Sequence, residues 1–198
     1  MGGSRTWYLL RMRKLRRIAV YCGSSDAVEP KYKDIARGFG RLLAARGHEL
    51  VYGGGRTGLM GAVADGALEG GGRVTGVIPT RIRDHEVAHL GLSELVIVDG
   101  MHARKQIMCG LSDAFVALPG GYGTLDELFE AVTWTQLGYH DKPCALLDPF
   151  GYFDGLVQFL DHALSEGFLR RTTRSILLHE REPETLLERL ASVPPRSP

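Results

Sequence analysis

The sequence predicts an α/β fold, in which a doubly wound, mainly parallel sheet of about six or seven strands is flanked by helices. Short apolar runs alternate along the chain with longer amphipathic runs, as in right-handed βαβ units. The short runs are almost continuously apolar, which is typical of parallel strands buried on both faces. Together these patterns indicate a Rossmann-like arrangement.

Taken in order, the apolar runs predict six strands at residues 17–22, 49–52, 73–78, 94–98, 114–118 and 143–147. The amphipathic runs predict helices at residues 30–46, 58–69, 103–111, 124–137 and 152–166. Residues 176–178 can add a strand, and residues 183–190 a last helix that starts at proline. In the fourth helix the apolar residues share one face, which predicts packing on the sheet.

Length and composition fit a single domain over residues 17–192, because 198 residues with 44% hydrophobic content can bury a sizeable core. We expect residues 1–16 to be a basic, disordered extension and residues 193–198 a tail. Residues 1–17 hold six of the 24 Lys and Arg residues and no acid, which leaves 18 basic against 23 acidic residues elsewhere. A mildly acidic body argues against nucleic acid as a partner.

Neither an export signal nor a membrane partner is expected. The apolar stretch at residues 7–10 is shorter than the roughly 7 to 15 residues of a secretory signal, and no run approaches the roughly 20 residues that span a bilayer. Cys22, Cys109 and Cys144 are widely spaced, which fits reduced thiols. The histidines lack ligand spacing, so we expect a cytoplasmic protein without a metal site.

The stretch PGGYGTLDE, residues 119–127, joins the fifth apolar run to a helix pattern through Gly120, Gly121 and Gly123. Glycines let backbone N–H groups approach a ligand closely, and a helix start adds unpaired donors and the positive end of the dipole. The stretch therefore predicts a phosphate cradle. Its remaining candidate contacts with a substrate are Tyr122, Thr124, Leu125 and Asp126.

Glu127 distinguishes this stretch from a simple anion site. A carboxylate one turn inside a phosphate cradle repels the phosphate, unless it is shielded or directed at another part of the ligand. An alternative remains open, because Thr124 and Glu127 also form a T-x-x-E capping box in which the two residues satisfy each other's backbone N–H groups.

Two further loops follow predicted strands. Gly23 and Ser24 come after the first strand, and Gly54 and Gly55 belong to a glycine-rich segment, residues 53–58, after the second. Ligands bind beyond the carboxyl ends of such strands, so these loops predict a nucleotide pocket. The second segment matches G-x-G-x-x-G, but it does not follow the first strand and no acid ends the next one. A tight turn is the alternative interpretation.

The sequence M-H-A-R-K, residues 101–105, begins the helix after the fourth strand and therefore lies on the same edge. We expect Met101 and Arg104 to face the pocket. The planar guanidinium fork suits phosphate or carboxylate, and pairing with Glu127 would keep both groups ionised. A surface charge pair is the alternative.

Four motifs, PGGYGTLDE, YGGG at residues 52–55, GLMG at residues 58–61 and MHARK, occur in an order and spacing that resemble the Lonely Guy family, the cytokinin riboside 5′-monophosphate phosphoribohydrolases. The resemblance covers residues 17–188. The same signature led such proteins to be labelled lysine decarboxylases, but we find no context for a pyridoxal phosphate lysine.

The resemblance implies hydrolysis of the N-glycosidic bond of N6-modified adenosine 5′-monophosphates and of AMP, without a cofactor, by a homodimer. Arg104 and Glu127 match the catalytic pair, and residues 121–124 match the phosphate loop. Positions that line the nucleotide site are matched by Glu86, Lys105 and Thr133. The family usually has an acid or glutamine where Ala103 stands, which bears on substrate preference. A non-catalytic nucleotide carrier and, more weakly, an NADP-dependent reductase are the alternatives.

Overall fold

Residues 13–82 and 87–195 are described by the computed structural model, and within them seven strands form one sheet in the order β4-β3-β2-β1-β5-β6-β7. Every pairing is parallel, so the α/β fold class is confirmed. The order reverses between β1 and β5, which is the switch point where such sheets leave a crevice.

In chain order the elements are β1 (Arg17–Tyr21), α1 (Pro30–Ala45), β2 (Glu49–Tyr52), α2 (Gly58–Glu69), β3 (Val74–Pro79), β4 (Glu94–Val98), α3 (Met101–Leu111), β5 (Ala114–Ala117), α4 (Tyr122–Leu137), β6 (Cys144–Leu147), α5 (Asp154–Ser165), α6 (Arg171–Arg174), β7 (Leu177–Glu180) and α7 (Pro183–Ser192).

Each predicted strand and helix is present; β2, β4 and α2 have the predicted bounds, and the other elements have shifted ends. Helix α4 begins at Tyr122, two residues before the predicted start, and α5 begins at Asp154, two residues after it. The short polar helix α6 was not predicted. Strand β4 is only partly buried, with Ile97 half exposed, because it lies at the edge of the sheet.

Two hydrophobic layers cover the sheet. On β1, Ile18 and Val20 face the layer that contains α1, α2 and α7, whereas Ala19 and Tyr21 face the layer that contains α3, α4 and α5. This alternation follows from the two-residue period of a strand. Strands β1 and β5 are almost completely buried, so packing on both faces of the sheet holds the residues from which their carboxyl-end loops begin.

Helices α1 and α2 contact each other through their backbones. A Cβ atom on Gly40 would overlap the carbonyl oxygen of Val63, and one on Gly66 would overlap that of Arg37. Ion pairs border this contact, including Arg37 with Asp65 at 3.1 Å and Arg41 with Glu69 at 2.7 Å. The glycines therefore set the distance between the two helices.

The first described residues pack against the domain. Arg13 forms an ion pair with Asp141 at 2.6 Å, and its backbone N–H donates to the carbonyl oxygen of Ala191 at 2.8 Å. Leu15 is buried. Contacts with the domain thus begin before residue 17, while residues 1–12 and 196–198 of the predicted extension and tail lie outside the described residues. In the described part of the chain, no helix has the length and apolar character needed to cross a membrane.

Replacing Gly40 with alanine should lower the free energy of unfolding by about 1–3 kcal/mol, because the added methyl group forces α1 and α2 apart. The matched control is Gly38→Ala in the same helix, where the new Cβ would meet nothing within 4 Å. It should raise the free energy of unfolding by about 0.5–1 kcal/mol through helix propensity. Urea unfolding measures both, and equal stability of the two variants would contradict the close contact.

Candidate functional site

A cavity of about 600 Å³ opens at the carboxyl ends of β1 and β5. Its wall is formed by the loops after β1, β5 and β6 and by the first turns of several helices. It thus lies at the switch point of the sheet, where the order of the strands leaves a crevice. The lining residues are Cys22, Gly23, Ser24, Ser25, Val28, Tyr32, Leu59, Met60, Ile82, Met101, Arg104, Pro119, Gly120, Gly121, Tyr122, Gly123, Thr124, Glu127 and Tyr152.

The glycine loop between β5 and α4 forms one side of the cavity. The backbone N–H of Gly23 donates to the carbonyl oxygen of Pro119 at 3.0 Å, so the loops after β1 and β5 are joined. A Cβ atom on Gly120 would overlap Oγ1 of Thr124, which explains the need for glycine there. The N–H groups of the first turn of α4 have no acceptors within the helix and adjoin the cavity, as an anion site requires.

The capping-box interpretation is wrong. Gly121 holds the N-cap position of α4, and among the described residues no side chain caps this helix. Thr124 lies inside the helix and is buried. Glu127 is consequently free of that role, and its carboxylate is directed toward Arg104.

Arg104 and Glu127 form a buried ion pair in the cavity wall. Nε of Arg104 lies 3.8 Å from Oε1 of Glu127, and the two side chains are only 5% and 10% exposed. Arg104 also donates from Nη2 to the carbonyl oxygen of Gly53 at 3.0 Å. The surface-pair alternative is therefore wrong. Each of these buried charges thus lies beside an opposite charge, which offsets part of the cost of removing it from water.

Gly53 makes room for the arginine. A Cβ atom at this position would occupy the space of Nη2 of Arg104 and would lie 3.1 Å from Sδ of Met60. A second hydrogen bond ties the same loop to its neighbour, because the N–H of His89 donates to the carbonyl oxygen of Gly54 at 3.0 Å. Gly54 and Gly55 do not line the cavity. The glycine-rich segment at residues 53–58 therefore acts as a close-packed turn.

Tyr21 lies beneath the ion pair. Burial and then the charge of Glu127 raise the pKa of Tyr21 well above its ordinary value. The phenol is accordingly neutral across the physiological pH range, and it adds no second negative charge next to the carboxylate. Glu127 is therefore the acid that this part of the cavity presents.

Lys105 points away from the cavity. Its Nζ lies 3.1 Å from Asp126 and 2.7 Å from Glu130. Burial lowers the pKa of Lys105, but the hydrogen bonds that it donates to Glu130 and Asp126 outweigh this effect, so the pKa is raised overall. Together with Leu125 and Thr133, these residues border a separate shallow groove on α4.

The structure brings together only part of the predicted site. The predicted residues in the cavity wall are Gly23, Ser24, Met101, Arg104, Gly120, Gly121, Tyr122, Gly123, Thr124 and Glu127. Gly54, Gly55, Lys105, Leu125, Asp126 and Thr133 lie elsewhere in this chain, and Glu86 lies outside the described residues. Sequence reasoning missed Tyr32 and Tyr152, although the latter follows the carboxyl end of β6, where the same rule applies.

A cluster near the loop after β6 consists of Asp148 in that loop, Asp154 at the start of α5 and His179 on β7, and their possible ligand atoms lie within 4.8 Å of one another. Asp148 is fully buried and accepts hydrogen bonds from the backbone N–H groups of Tyr152 and Phe153. Asp154 forms an ion pair with Arg181 at 3.0 Å. These contacts identify the cluster as a support for the turn that carries Tyr152.

Solved structures share the fold. A molybdenum cofactor binding protein from the phototrophic bacterium Rippkaea orientalis has a TM-score of 0.67 at 25% identity, covering 92% of this chain and 98% of that one. The molybdenum cofactor carrier protein of Chlamydomonas reinhardtii has a TM-score of 0.66 at 20% identity, and the match covers 89% of this chain and 98% of that protein. These similarities confirm the arrangement of sheet and helices.

Sequence comparisons are more specific. Residues 60–190 match a family model described as "Possible lysine decarboxylase". Cytokinin riboside 5′-monophosphate phosphoribohydrolase LOG1 of Arabidopsis thaliana is 45% identical over 92% of this chain and 86% of its own length. The cytokinin riboside 5′-monophosphate phosphoribohydrolase LOG of Oryza sativa subsp. japonica is 48% identical over 85% of this chain and 69% of its own length. With these matches over nearly its whole length, the chain belongs to the Lonely Guy family of cytokinin riboside 5′-monophosphate phosphoribohydrolases.

Proposed function

We propose that this protein hydrolyses the N-glycosidic bond of N6-modified adenosine 5′-monophosphates and of AMP, releasing free base and ribose 5-phosphate. The observation that carries the proposal is the buried pair of Arg104 and Glu127 beside the glycine loop. The names of relatives at about 45% identity support the same reaction.

The 5′-phosphate binds the N–H groups of the loop and of the first turn of α4, where the helix dipole favours negative charge. Glu127 lies about one helical turn further along α4, which corresponds to a rise of roughly 5 Å. A ribose bound through its 5′-phosphate therefore presents C1′ toward Glu127 rather than toward the loop. The phosphate contacts use remote binding energy to place the reacting carbon.

Breaking the bond between C1′ and the purine nitrogen builds positive charge on C1′ and on the ring oxygen. The carboxylate of Glu127 stabilises this charge and accepts a proton as water adds to C1′. Both electrons of the broken bond leave with the purine nitrogen, which ends the reaction carrying the proton that water released to Glu127, so the carboxylate is regenerated. Arg104 orients Glu127 and keeps it ionised until the proton arrives.

Apolar side chains supply the remainder of the cavity. Leu59, Met60, Met101 and Ile82 form a wall that suits a purine and an apolar N6 substituent. The phosphate and ribose contacts do not depend on that substituent, which is why we include AMP as a substrate.

The alternative of a non-catalytic nucleotide carrier would use the same cavity without turnover. A buried carboxylate held by an arginine beside the ribose position adds nothing to the binding of an anionic ligand. Incubation with N6-isopentenyladenosine 5′-monophosphate and with AMP, followed by chromatography, separates the two functions, because only the hydrolase releases free base and ribose 5-phosphate.

We further propose that the protein is a cytoplasmic homodimer. Apolar side chains near the end of α4 support the dimer, since Leu137 is 63% exposed and Trp134 and Phe129 border the shallow groove beside it. A reducing compartment suits the thiols, because Cys22 and Cys144 are buried and unbridged. Burial raises the pKa of Cys144 to about 12, so this thiol stays protonated and unreactive.

Glu127→Gln should lower kcat by about 10²- to 10⁴-fold, because the amide can neither stabilise the developing charge as well nor accept the proton. Binding of AMP should persist, since the phosphate loop is intact. The matched control is Glu130→Gln, the same change three residues along α4. Turnover by Glu127→Gln at the rate of the unchanged protein would refute the assignment.

Gly53→Ala should lower kcat/KM by about 10- to 100-fold and lower the free energy of unfolding by about 1–3 kcal/mol, because the new methyl group displaces the buried guanidinium of Arg104. The control is Gly110→Ala on α3, where the added Cβ meets nothing within 4 Å. Steady-state kinetics and urea unfolding distinguish misplacement of Arg104 from unfolding. Full activity of Gly53→Ala would exclude the proposed role of the arginine.

Light scattering should give a mass of twice 21.7 kDa for the unchanged chain. Leu137→Asp should shift the mass toward the monomer, because it places a charge in the proposed contact. Phe159→Asp, which alters a similarly exposed apolar residue on α5, should remain dimeric. A monomeric mass of the unchanged protein would contradict the proposed dimer.

A further inference from the structure

Tyr152 contacts the glycine loop from the turn between β6 and α5. Its phenolic O–H donates to the carbonyl oxygen of Gly120 at 2.8 Å, and its ring lines the cavity. Neither the family motifs nor the proposed chemistry uses this residue. Its hydrogen bond acts on the backbone of the loop that is proposed to bind phosphate.

The hydrogen bond fixes the direction of a backbone donor. In a trans peptide the carbonyl and the following N–H lie in one plane and point in opposite directions, and no cis peptide occurs among the described residues. Holding the Gly120 carbonyl toward Tyr152 therefore turns the N–H of Gly121 away from the phenol. The N–H of Gly23 acts in the same way on the Pro119 carbonyl and so orients the N–H of Gly120.

Glycine is the residue that most needs such support. Without side chains, Gly120 and Gly121 have wide conformational freedom, and ordering them costs more entropy than ordering other residues. Two hydrogen bonds from outside the loop, from Gly23 and Tyr152, restrict that freedom before a ligand arrives. Preorganised donors bind more tightly because less order is lost on binding.

Tyr152 is itself held in place. The buried carboxylate of Asp148 accepts its backbone N–H at 2.6 Å and that of Phe153 at 2.9 Å. Its ring packs edge to face on Phe153 and Tyr32, with centroid distances of 5.0 and 6.1 Å. The phenol thus contacts the loop from a turn that Asp148 holds in place. The cluster around Asp148 therefore supports the residue that contacts the glycine loop.

We propose that Tyr152 is a positioning residue for the phosphate loop: its O–H holds the Gly120 carbonyl so that the loop N–H groups face the 5′-phosphate. This inference rests on the phosphate placement proposed above. Tyr152 acts on the loop and not on the base. Its hydrogen bond consequently affects the affinity for ligands that carry the phosphate and leaves the affinity for the base unchanged.

Tyr152→Phe removes the O–H and keeps the ring packing, so folding is preserved. Calorimetry with ribose 5-phosphate and with adenine should show a dissociation constant about 3- to 10-fold higher for ribose 5-phosphate and an unchanged value for adenine, as expected for one lost hydrogen bond. KM for AMP should rise by a similar factor, and kcat should change less. Tyr139→Phe, which removes an exposed phenolic O–H on another surface, should alter none of these values.

Equal weakening of ribose 5-phosphate and adenine would overturn the inference, because a general structural role affects both ligands. Unchanged affinity for ribose 5-phosphate in Tyr152→Phe would overturn it as well, while leaving the proposed reaction intact. Failure of the unchanged protein to bind ribose 5-phosphate would refute the phosphate placement itself, and the role of Tyr152 with it.

Discussion

The ion pair of Arg104 and Glu127 is the constraint on which the site depends. Removing one partner of so buried an ion pair would lower the free energy of unfolding by about 3–5 kcal/mol, so each charge depends on the presence of the other. They come from two helices, α3 and α4, which follow β4 and β5, strands that are separated in the sheet by β3, β2 and β1. The packing of those helices and the glycine at residue 53 both serve to bring the two charges together.

Five glycines near the site and between the helices have different tasks, and only some of these tasks concern a ligand directly. Gly40 and Gly66 let two helices approach each other, and Gly53 leaves space for a guanidinium group. Gly120 and Gly121 expose backbone donors to the cavity. Glycine content alone does not distinguish these tasks; the atoms that a Cβ would meet do.

Much of the fold could be predicted from the sequence because hydrophobic periodicity directly reports burial. Strands such as β1 and β5 are apolar throughout since both faces are covered. The start of α4 was harder to predict, because T-x-x-E has the pattern of a helix cap. The helix begins earlier, after Gly121, and no side-chain cap marks that start in the sequence. Arg104 and Glu127 were predictable from motif and position. Tyr152 was not, since its role is a hydrogen bond between residues 32 positions apart.

Lys105 and Thr133 lie outside the cavity of the single chain, and their assignment to the nucleotide site stays a prediction. The resemblance assigns them to the nucleotide site, yet in this chain they border a groove on α4 outside the cavity. Their position is set by the helix that carries them, and adjacent residues on a helix point in different directions. Arg104 and Lys105 therefore face different surfaces although they are neighbours in the motif.

The most direct test of the account is a crystal structure of the Glu127→Gln protein with N6-isopentenyladenosine 5′-monophosphate bound. We expect the phosphate to bind the N–H groups of residues 120–124, and the side chain of residue 127 to lie within about 3.5 Å of C1′ or of a water beside it. A nucleotide bound with its phosphate elsewhere, or with C1′ distant from residue 127, would contradict it.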